Sequence, residues 1–424
     1  MSVALITVNA LAEGMVLAND LHAPNGRMIL ARGAVVRSAH VRMLKVWGVS
    51  EVDVEKGGEE ITLPEEFALN EEELRRRSDE IVDSYFPPAA YGDDCMRELR
   101  RLCVLRTARK LKEGISLPEL PERGDRPPQM PLRDGLPLEP ISPYTLVRNE
   151  VRLVSYPDIY FKIKEVLESP VSSAAHIGEV VSKDPSLSAR LLRLVNSSFY
   201  GFPTPIESIP RAIAIIGVNE LTTLALAVST INFFRHVPER YVDMRSFWEH
   251  SLACGVFSRI LAYAKRKPSE ERYFLAGLLH DIGRLVLYRK MPELMTFALR
   301  LAVYARIPLF RIEKRLFGFD HAHLGQLLLR EWRIPETIGH LVGGHHDPFA
   351  CEHPEDAAVI HAADVFALAL RMGTSGSWFV PMLEKEAWKT LELSPASLES
   401  LLVQGERQMQ ETMNIFFPQR EAGA

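Results

Sequence analysis

The sequence predicts a mostly α-helical fold, on three observations. From about residue 145 to 410, apolar residues recur at helical spacing in one segment after another. The breaks between segments are short and carry turn or cap residues: Ser169-Pro170, Asp184-Pro185, Gly201, Pro203, Pro205 and Gly217. No stretch alternates strand and helix as a parallel sheet requires, and no fixed-period repeat is evident.

Residues 1–56 differ in character and read as a small β-rich module. Met15 to Ala18 and Met28 to Leu30 flank Pro24-Asn25-Gly26, a turn signal that predicts a hairpin. Val35 to Trp47 is expected as a short helix closed by Gly48, with Val49 to Val54 alternating as a strand. Residues 57–113 form a helical connector. Glu71 to Phe86 begins acidic and turns basic, as the helix dipole favours. Cys95 to Leu111 carries an apolar stripe at Leu99, Leu102, Cys103, Leu105 and Leu111. Residues 114–144 hold eight of the chain's 28 prolines and read as an extended linker.

Residues 145–410 form the main helical domain, followed by a tail at 411–424. Helices are expected at Ile159 to Leu167, Ala174 to Val181, Leu187 to Asn196, Ile209 to Ile216 and Asn219 to Phe234. Asp184 suits an N-cap and Pro185 the first helical position. Further helices are expected at 244–266, 271–290, 292–305, 309–317, 320–332, 335–345, 355–371 and 395–417. Trp248 and Trp332 read as core aromatics, Cys254 as a buried small residue, and Asn196-Ser197-Ser198 as a helix end bonding its own backbone.

Composition narrows the function. At 47% apolar and 25% charged, the chain is ordinary for a globular protein. A net charge of −5 supplies no basic field for nucleic acid, and Arg75-Arg76-Arg77 reads as a solvated helix face. The four cysteines have no spacing of a disulfide framework or zinc knuckle, which suits a reducing compartment. The longest apolar run, Leu221 to Phe234, falls short of the roughly 20 residues of a membrane span. With no basic n-region or cleavage site at the start, the expected location is the cytoplasm.

Nine of the 13 histidines lie between 250 and 361. His280 and Asp281 stand side by side inside the apolar run Phe274 to Leu287, where they are costly to bury unless paired. His361 and Asp364 share a helix face three residues apart. Imidazole and carboxylate without thiolate suit Fe, Mn, Zn, Ni or Mg.

His250, His280-Asp281 and Asp364, in that order on helices, resemble the H…HD…D pattern of the HD superfamily of metal-dependent phosphohydrolases. The context resembles its HDOD branch: Asp184-Pro185-Ser186-Leu187, Leu191 to Ser198, Phe247-Trp248-Glu249-His250-Ser251, Gly277 to Gly283, Trp332-Arg333-Ile334-Pro335 and His345-His346-Asp347-Pro348. The resemblance implies an all-α HDOD domain of bacterial signal transduction, regulatory rather than catalytic. Related HD-GYP domains hydrolyse cyclic di-GMP at a metal centre, and their ligand pattern carries over to His250, His280, Asp281, His321, His345, His346 and Asp364. Three positions depart from that pattern. Ser246 replaces a glutamate, Arg284 replaces a lysine, and Asp347-Pro348-Phe349 follows His346 in place of Gly-Tyr-Pro.

The expected function is therefore a regulatory or adaptor protein that binds a signalling partner or small ligand, with oligomerisation open. The alternative is a metal-dependent phosphohydrolase acting on a nucleotide or cyclic dinucleotide phosphodiester. In that alternative Asp281 and Arg284 are the catalytic candidates, Arg284 neutralising phosphate charge. A metal sensor without turnover is a third reading. No organic cofactor site is expected.

Overall fold

The computed structural model describes residues 3–7, 11, 14–22, 28–36, 51–55, 71–113, 115, 117–133, 136–137, 142–153, 162, 165–166, 174–198, 200–233 and 242–417. The expected helix at Ile159 to Leu167 lies mostly outside these residues, as does the expected helix of 35–47 beyond Val36. The described chain divides into two units, residues 1–81 with 104–117 and residues 82–103 with 118–424.

In the first unit, β1 (Val3–Thr7) pairs antiparallel with β4 (Glu51–Glu55), and β2 (Leu21–His22) with β3 (Met28–Leu30). The second pair matches the hairpin expected around Pro24-Asn25-Gly26, although pairing begins at Leu21 rather than Met15. Val35, expected to open a helix, instead bridges Val16. Leu17 bridges Val54, and Leu11, Leu17, Val36, Val52 and Val54 close a small apolar core.

Two helices follow in sequence, α1 (Glu71–Asp83) and α2 (Asp94–Lys112). Leu105, placed on the apolar stripe by its spacing, is exposed. The proline-rich segment is extended, as proline dictates, with a short unexpected hairpin of β5 (Leu132–Arg133) and β6 (Leu136–Pro137).

The rest of the second unit is helical: α3 (Pro143–Leu153), α4 (Ala174–Ser182), α5 (Pro185–Val195), α6 (Ile209–Ile216) and α7 (Val218–Phe233). There follow α8 (Met244–Ala264), α9 (Glu270–Leu279), α10 (Ile282–Lys290), α11 (Pro292–Ala305) and α12 (Leu309–Phe317). The last are α13 (His321–Glu331), α14 (Glu336–Gly344), α15 (Pro354–Ala369), α16 (Lys385–Leu391) and α17 (Leu398–Phe416). The mostly helical architecture is as the sequence predicts. Side-chain caps define the starts: Asp184 accepts from Leu187 N–H, Asp243 from Ser246 N–H and Asp320 from His323 N–H. Asn196 corrects the reading of a self-bonded helix end. Its amide donates to the Ile206 carbonyl and accepts from the Ile206 N–H, pinning the loop that follows α5.

Two helices are apolar nearly all round and form the centre of this unit. Along α8 and α15 most side chains are buried, and the two helices pack together. Trp248 on α8 and Trp332 after α13 are buried core aromatics. Helix α17 packs on α8 and continues to Phe416, with Met413 and Phe416 buried.

The single helix expected over 271–290 is in fact two. It breaks at His280-Asp281, where Asp281 takes φ −96° and ψ 7°. Arg284 N–H bonds the Asp281 carbonyl and opens the next helix. The break lets adjacent side chains face one point, which an unbroken helix would place about 100° apart.

Close backbone approach at Gly283 fixes the second helix against α13. A Cβ on Gly283 would stand 2.1 Å from the His321 carbonyl oxygen. Gly283→Ala should therefore destabilise the chain by about 1–3 kcal/mol, as overpacking does, and displace the α13 N-terminus. Chemical denaturation at fixed m-value checks this; an unchanged midpoint would exclude the close approach.

Candidate metal centre

Five elements deliver the histidines and carboxylates singled out by sequence to one buried point. His250 comes from the middle of α8, and His280-Asp281 from the α9–α10 break. His321 opens α13, His345-His346 follow α14, and Asp364 comes from α15. All are buried except His346, which is partly buried and stacks on Phe310.

The contacts form two lobes that meet at Asp281. On one side, His250 Nε2 lies 3.2 Å from Asp364 Oδ1 and 3.5 Å from Asp281 Oδ2. His280 Nε2 lies 3.1 Å from Asp281 Oδ2 and 3.5 Å from Asp364 Oδ1. On the other, His321 Nε2 is 2.7 Å from Asp281 Oδ1, 3.3 Å from His345 Nε2 and 3.1 Å from His346 Nε2. All seven candidate ligands are thus brought together.

The outer nitrogens explain why the inner ones converge. His280 Nδ1 donates to the Gly277 carbonyl and His345 Nδ1 to the Val342 carbonyl, each at 2.7 Å. His321 Nδ1 bonds the Glu313 carboxylate on α12. Such outer bonds fix the tautomer and turn Nε2 toward a common point, as metal-binding histidines require. Among the described residues, His250 Nε2, His280 Nε2 and Asp281 Oδ1 are buried without a directed hydrogen bond. Ligand atoms of His250, His280 and Asp364 lie within 4.8 Å of one another, as do those of His321, His345 and His346. Donor chemistry, fixed tautomers and unsatisfied buried atoms all fit a divalent cation of the Fe, Mn, Zn or Ni type.

Arg284 does not point into open space. Its Nη1 donates to Asp281 Oδ2 at 2.9 Å and to the Ser375 hydroxyl, and its Nε to Glu313 Oε1 at 3.2 Å. The Ser375 hydroxyl also bonds Asp281 Oδ2, and the Ser375 carbonyl accepts from Tyr288. Glu313 and Ser375 were not singled out by sequence. Glu313, between Ile312 and Lys314, carried no signal in the sequence. Ser375 lies in a loop and had none. Ser246, where related domains carry glutamate, accepts the Thr374 N–H at its hydroxyl and so anchors this same loop.

Electrostatics follow from burial and neighbours. Burial opposes ionisation of Asp281, but Arg284, His280 and His321 outweigh it and hold the carboxyl well below its usual range. Burial likewise opposes ionised Asp364, which bonds from His250 and His280 reverse. Glu313 is drawn down to about 2 by His321 and Arg284 against its burial. His280 is raised well above the usual imidazole value, burial being overcome chiefly by Asp281. His321 is raised by Glu313 and Asp281 against burial and Arg284. His345 falls to about 3 through burial beside His280 and His321, and His346 falls through burial and His345. Charge and burial together thus hold the three carboxylates Asp281, Asp364 and Glu313 low and raise His280 and His321.

His361 shares the α15 face with Asp364 but is turned away. Its Nδ1 donates to the His345 carbonyl and its Nε2 accepts the Glu384 N–H, bracing two loops. Cys254, one turn from His250, is buried, and burial raises its thiol.

The HDOD domain family matches residues 153–348. An uncharacterized protein of Treponema pallidum (strain Nichols) is 24% identical over 192 residues, 45% of this chain and 37% of that protein. The chain spans little more than a third of the length of the curated relatives it matches. A solved HDOD domain protein of unknown function from Geobacter sulfurreducens superposes with a TM-score of 0.53 at 23% identity, over 65% of this chain and 99% of that one. A proposed phosphohydrolase from Shewanella amazonensis SB2B gives 0.51 at 23% identity, over 64% and 98%. These likenesses establish the helical fold.

Glu313→Gln removes one negative charge from the closed set and leaves Arg284 and His321 short of a partner. The expected loss is about 3–5 kcal/mol at neutral pH. Because the Glu313 pKa is lowered on folding, its contribution is full above its ordinary value and fades as pH falls toward about 2. The gap between native chain and variant should narrow over that acid window in urea titrations; a gap constant with pH would refute the assignment.

Proposed function

We propose that this chain, which carries an HDOD domain at residues 153–348, is a regulatory adaptor whose His/Asp centre holds the domain together and does not turn over substrate. The observation that carries this reading is the closure of the centre. His250, His280, Asp281, Arg284, Glu313, His321 and His345 are all at most 2% exposed. The cation that would serve a phosphate, Arg284, is already shared by Asp281, Glu313 and Ser375. A phosphodiester would have to break that network before meeting the ligands, and leaving one partner of a buried pair uncompensated costs several kcal/mol.

The loop after α15 supplies the closure and offers a place for regulation. Ser375 faces Asp281, while its neighbours Thr374 and Gly376 line a cavity of about 720 Å³ with Ser246, Tyr304 and Trp378. That size suits a small ligand. Binding there would act on the loop that touches Asp281 and Arg284. The N-terminal strands would couple the domain to a signalling partner. Among the described residues no helix is long and apolar enough to cross a membrane.

A second reading, metal-dependent phosphohydrolase, is favoured by the inward-facing Nε2 atoms of His250 and His280, which are buried without a directed hydrogen bond. In it His250, His280, Asp281 and Asp364 would hold one divalent cation, and Asp281, His321, His345 and His346 a second. The cation would acidify a bound water and polarise a phosphoryl oxygen. For that role Arg284 would have to leave Glu313 and Ser375.

Elemental analysis of the purified chain, with hydrolysis of a generic phosphodiester in added Mn or Fe beside His280→Ala, separates the two. The adaptor reading predicts background hydrolysis from both proteins. Turnover by the native chain that His280→Ala abolishes would overturn it.

A further inference from the structure

A second group of ligating side chains lies outside the buried centre. His340 on α14 and Glu352 and His353, in the turn before α15, bring one ligand atom each to within 4.8 Å of one another. His340 Nδ1 stands 3.5 Å from Glu352 Oε2, and the His340 and His353 ring centroids are 5.8 Å apart. His340 is five residues before His345, so its side chain leaves the helix about 140° around from it. His345 faces the buried centre, whereas Glu352 and His353 are exposed.

Two features separate this group from ordinary surface polarity. His340 Nδ1 is itself buried, yet among the described residues it makes no directed hydrogen bond. A buried ring nitrogen without a hydrogen bond is costly, and Glu352 Oε2, at 3.5 Å, stands where a shared cation would bind both. Second, the set is two imidazoles and one carboxylate. Three such ligands with an open side toward solvent are what a zinc-type cation takes, the remaining position going to water. Closing ligand atoms from 4.8 Å to the spacing set by bonds of about 2.0–2.2 Å asks only small rotations of exposed side chains.

We propose that His340, Glu352 and His353 form a surface site for a divalent transition cation of the zinc type, separate from the buried centre. Its ligands bracket residues 341–351 and so enclose His345-His346. A cation there closes a loop of the chain and ties the end of α14 to the start of α15, the elements that deliver His345, His346 and Asp364. The site depends on neither turnover nor a substrate.

The test titrates the chelator-treated full chain with Zn²⁺ by calorimetry, beside the double variant His340→Ala/His353→Ala and the single variant Glu352→Gln. Glu352 and His353 are exposed and His340 is partly buried, and unchanged circular dichroism would establish that the fold is kept. The double variant should bind one fewer zinc per chain. Glu352→Gln should keep the stoichiometry and weaken one site by about tenfold or more. Hydrogen exchange should show added protection of residues 341–353 on filling the site in the native chain only. Equal stoichiometry and equal affinity in all three proteins would overturn the proposal, whatever the buried centre binds.

Discussion

The second unit depends on one buried ionic arrangement, in which Arg284 is held between Asp281 and Glu313 with Ser375 bridging. Four elements meet in it: the α9–α10 break, α10, α12 and the loop after α15. A guanidinium taken this far from water is costly unless paired, and here its Nε and Nη1 reach two carboxylates and a hydroxyl. Glu313 then passes the constraint to His321, whose ring it bonds on the far side. The Arg284 network and the histidine cluster are therefore one object, joined through Asp281 and Glu313. Removing Asp281 or Glu313 leaves Arg284 short of a buried partner.

Close packing sets the geometry around this object. Gly283 lets α10 lie against the first turn of α13, and Gly255 and Gly277 let α8 and α9 approach, since a Cβ on Gly277 would stand 2.8 Å from the Cys254 carbonyl. His250, His280 and His321 are thus carried on backbones that cannot drift apart without losing contact. The loop from Gly373 to Ser377 completes the enclosure. Ser246, standing where related domains carry glutamate, holds that loop by the Thr374 N–H, so the departure from the catalytic pattern has a structural use.

Much of this was legible in the sequence because helix periodicity and caps are local. Asp184 marks a helix start as its sequence context predicts, and helices such as Ile209–Ile216 and Pro292–Ala305 fall where the apolar spacing puts them. The seven candidate ligands came from the resemblance to HD-GYP domains, and their side chains do lie together. Three features were not. The break at His280-Asp281 carries no proline, and the apolar spacing of Phe274 to Leu287 continues across it. Glu313 looks like a surface carboxylate until the fold turns α12 inward. Ser375 sits in a loop whose path depends on Ser246, Tyr288 and Asp281 together. The sequence leaves the Arg284 side chain free for phosphate, and only the positions of Glu313 and Ser375 show that its Nε and Nη1 are engaged.

Accessibility of the histidines tests the closed centre most directly. Brief treatment of the metal-free folded chain with diethyl pyrocarbonate, followed by peptide mass spectrometry, ranks each imidazole by its rate of modification. His323 and His353 are exposed, whereas His250, His280, His321 and His345 are fully buried. The account predicts that the exposed pair reacts promptly and that the inner four react only when the chain unfolds. Modification of the inner four at the rate of His323 in the folded chain would contradict it.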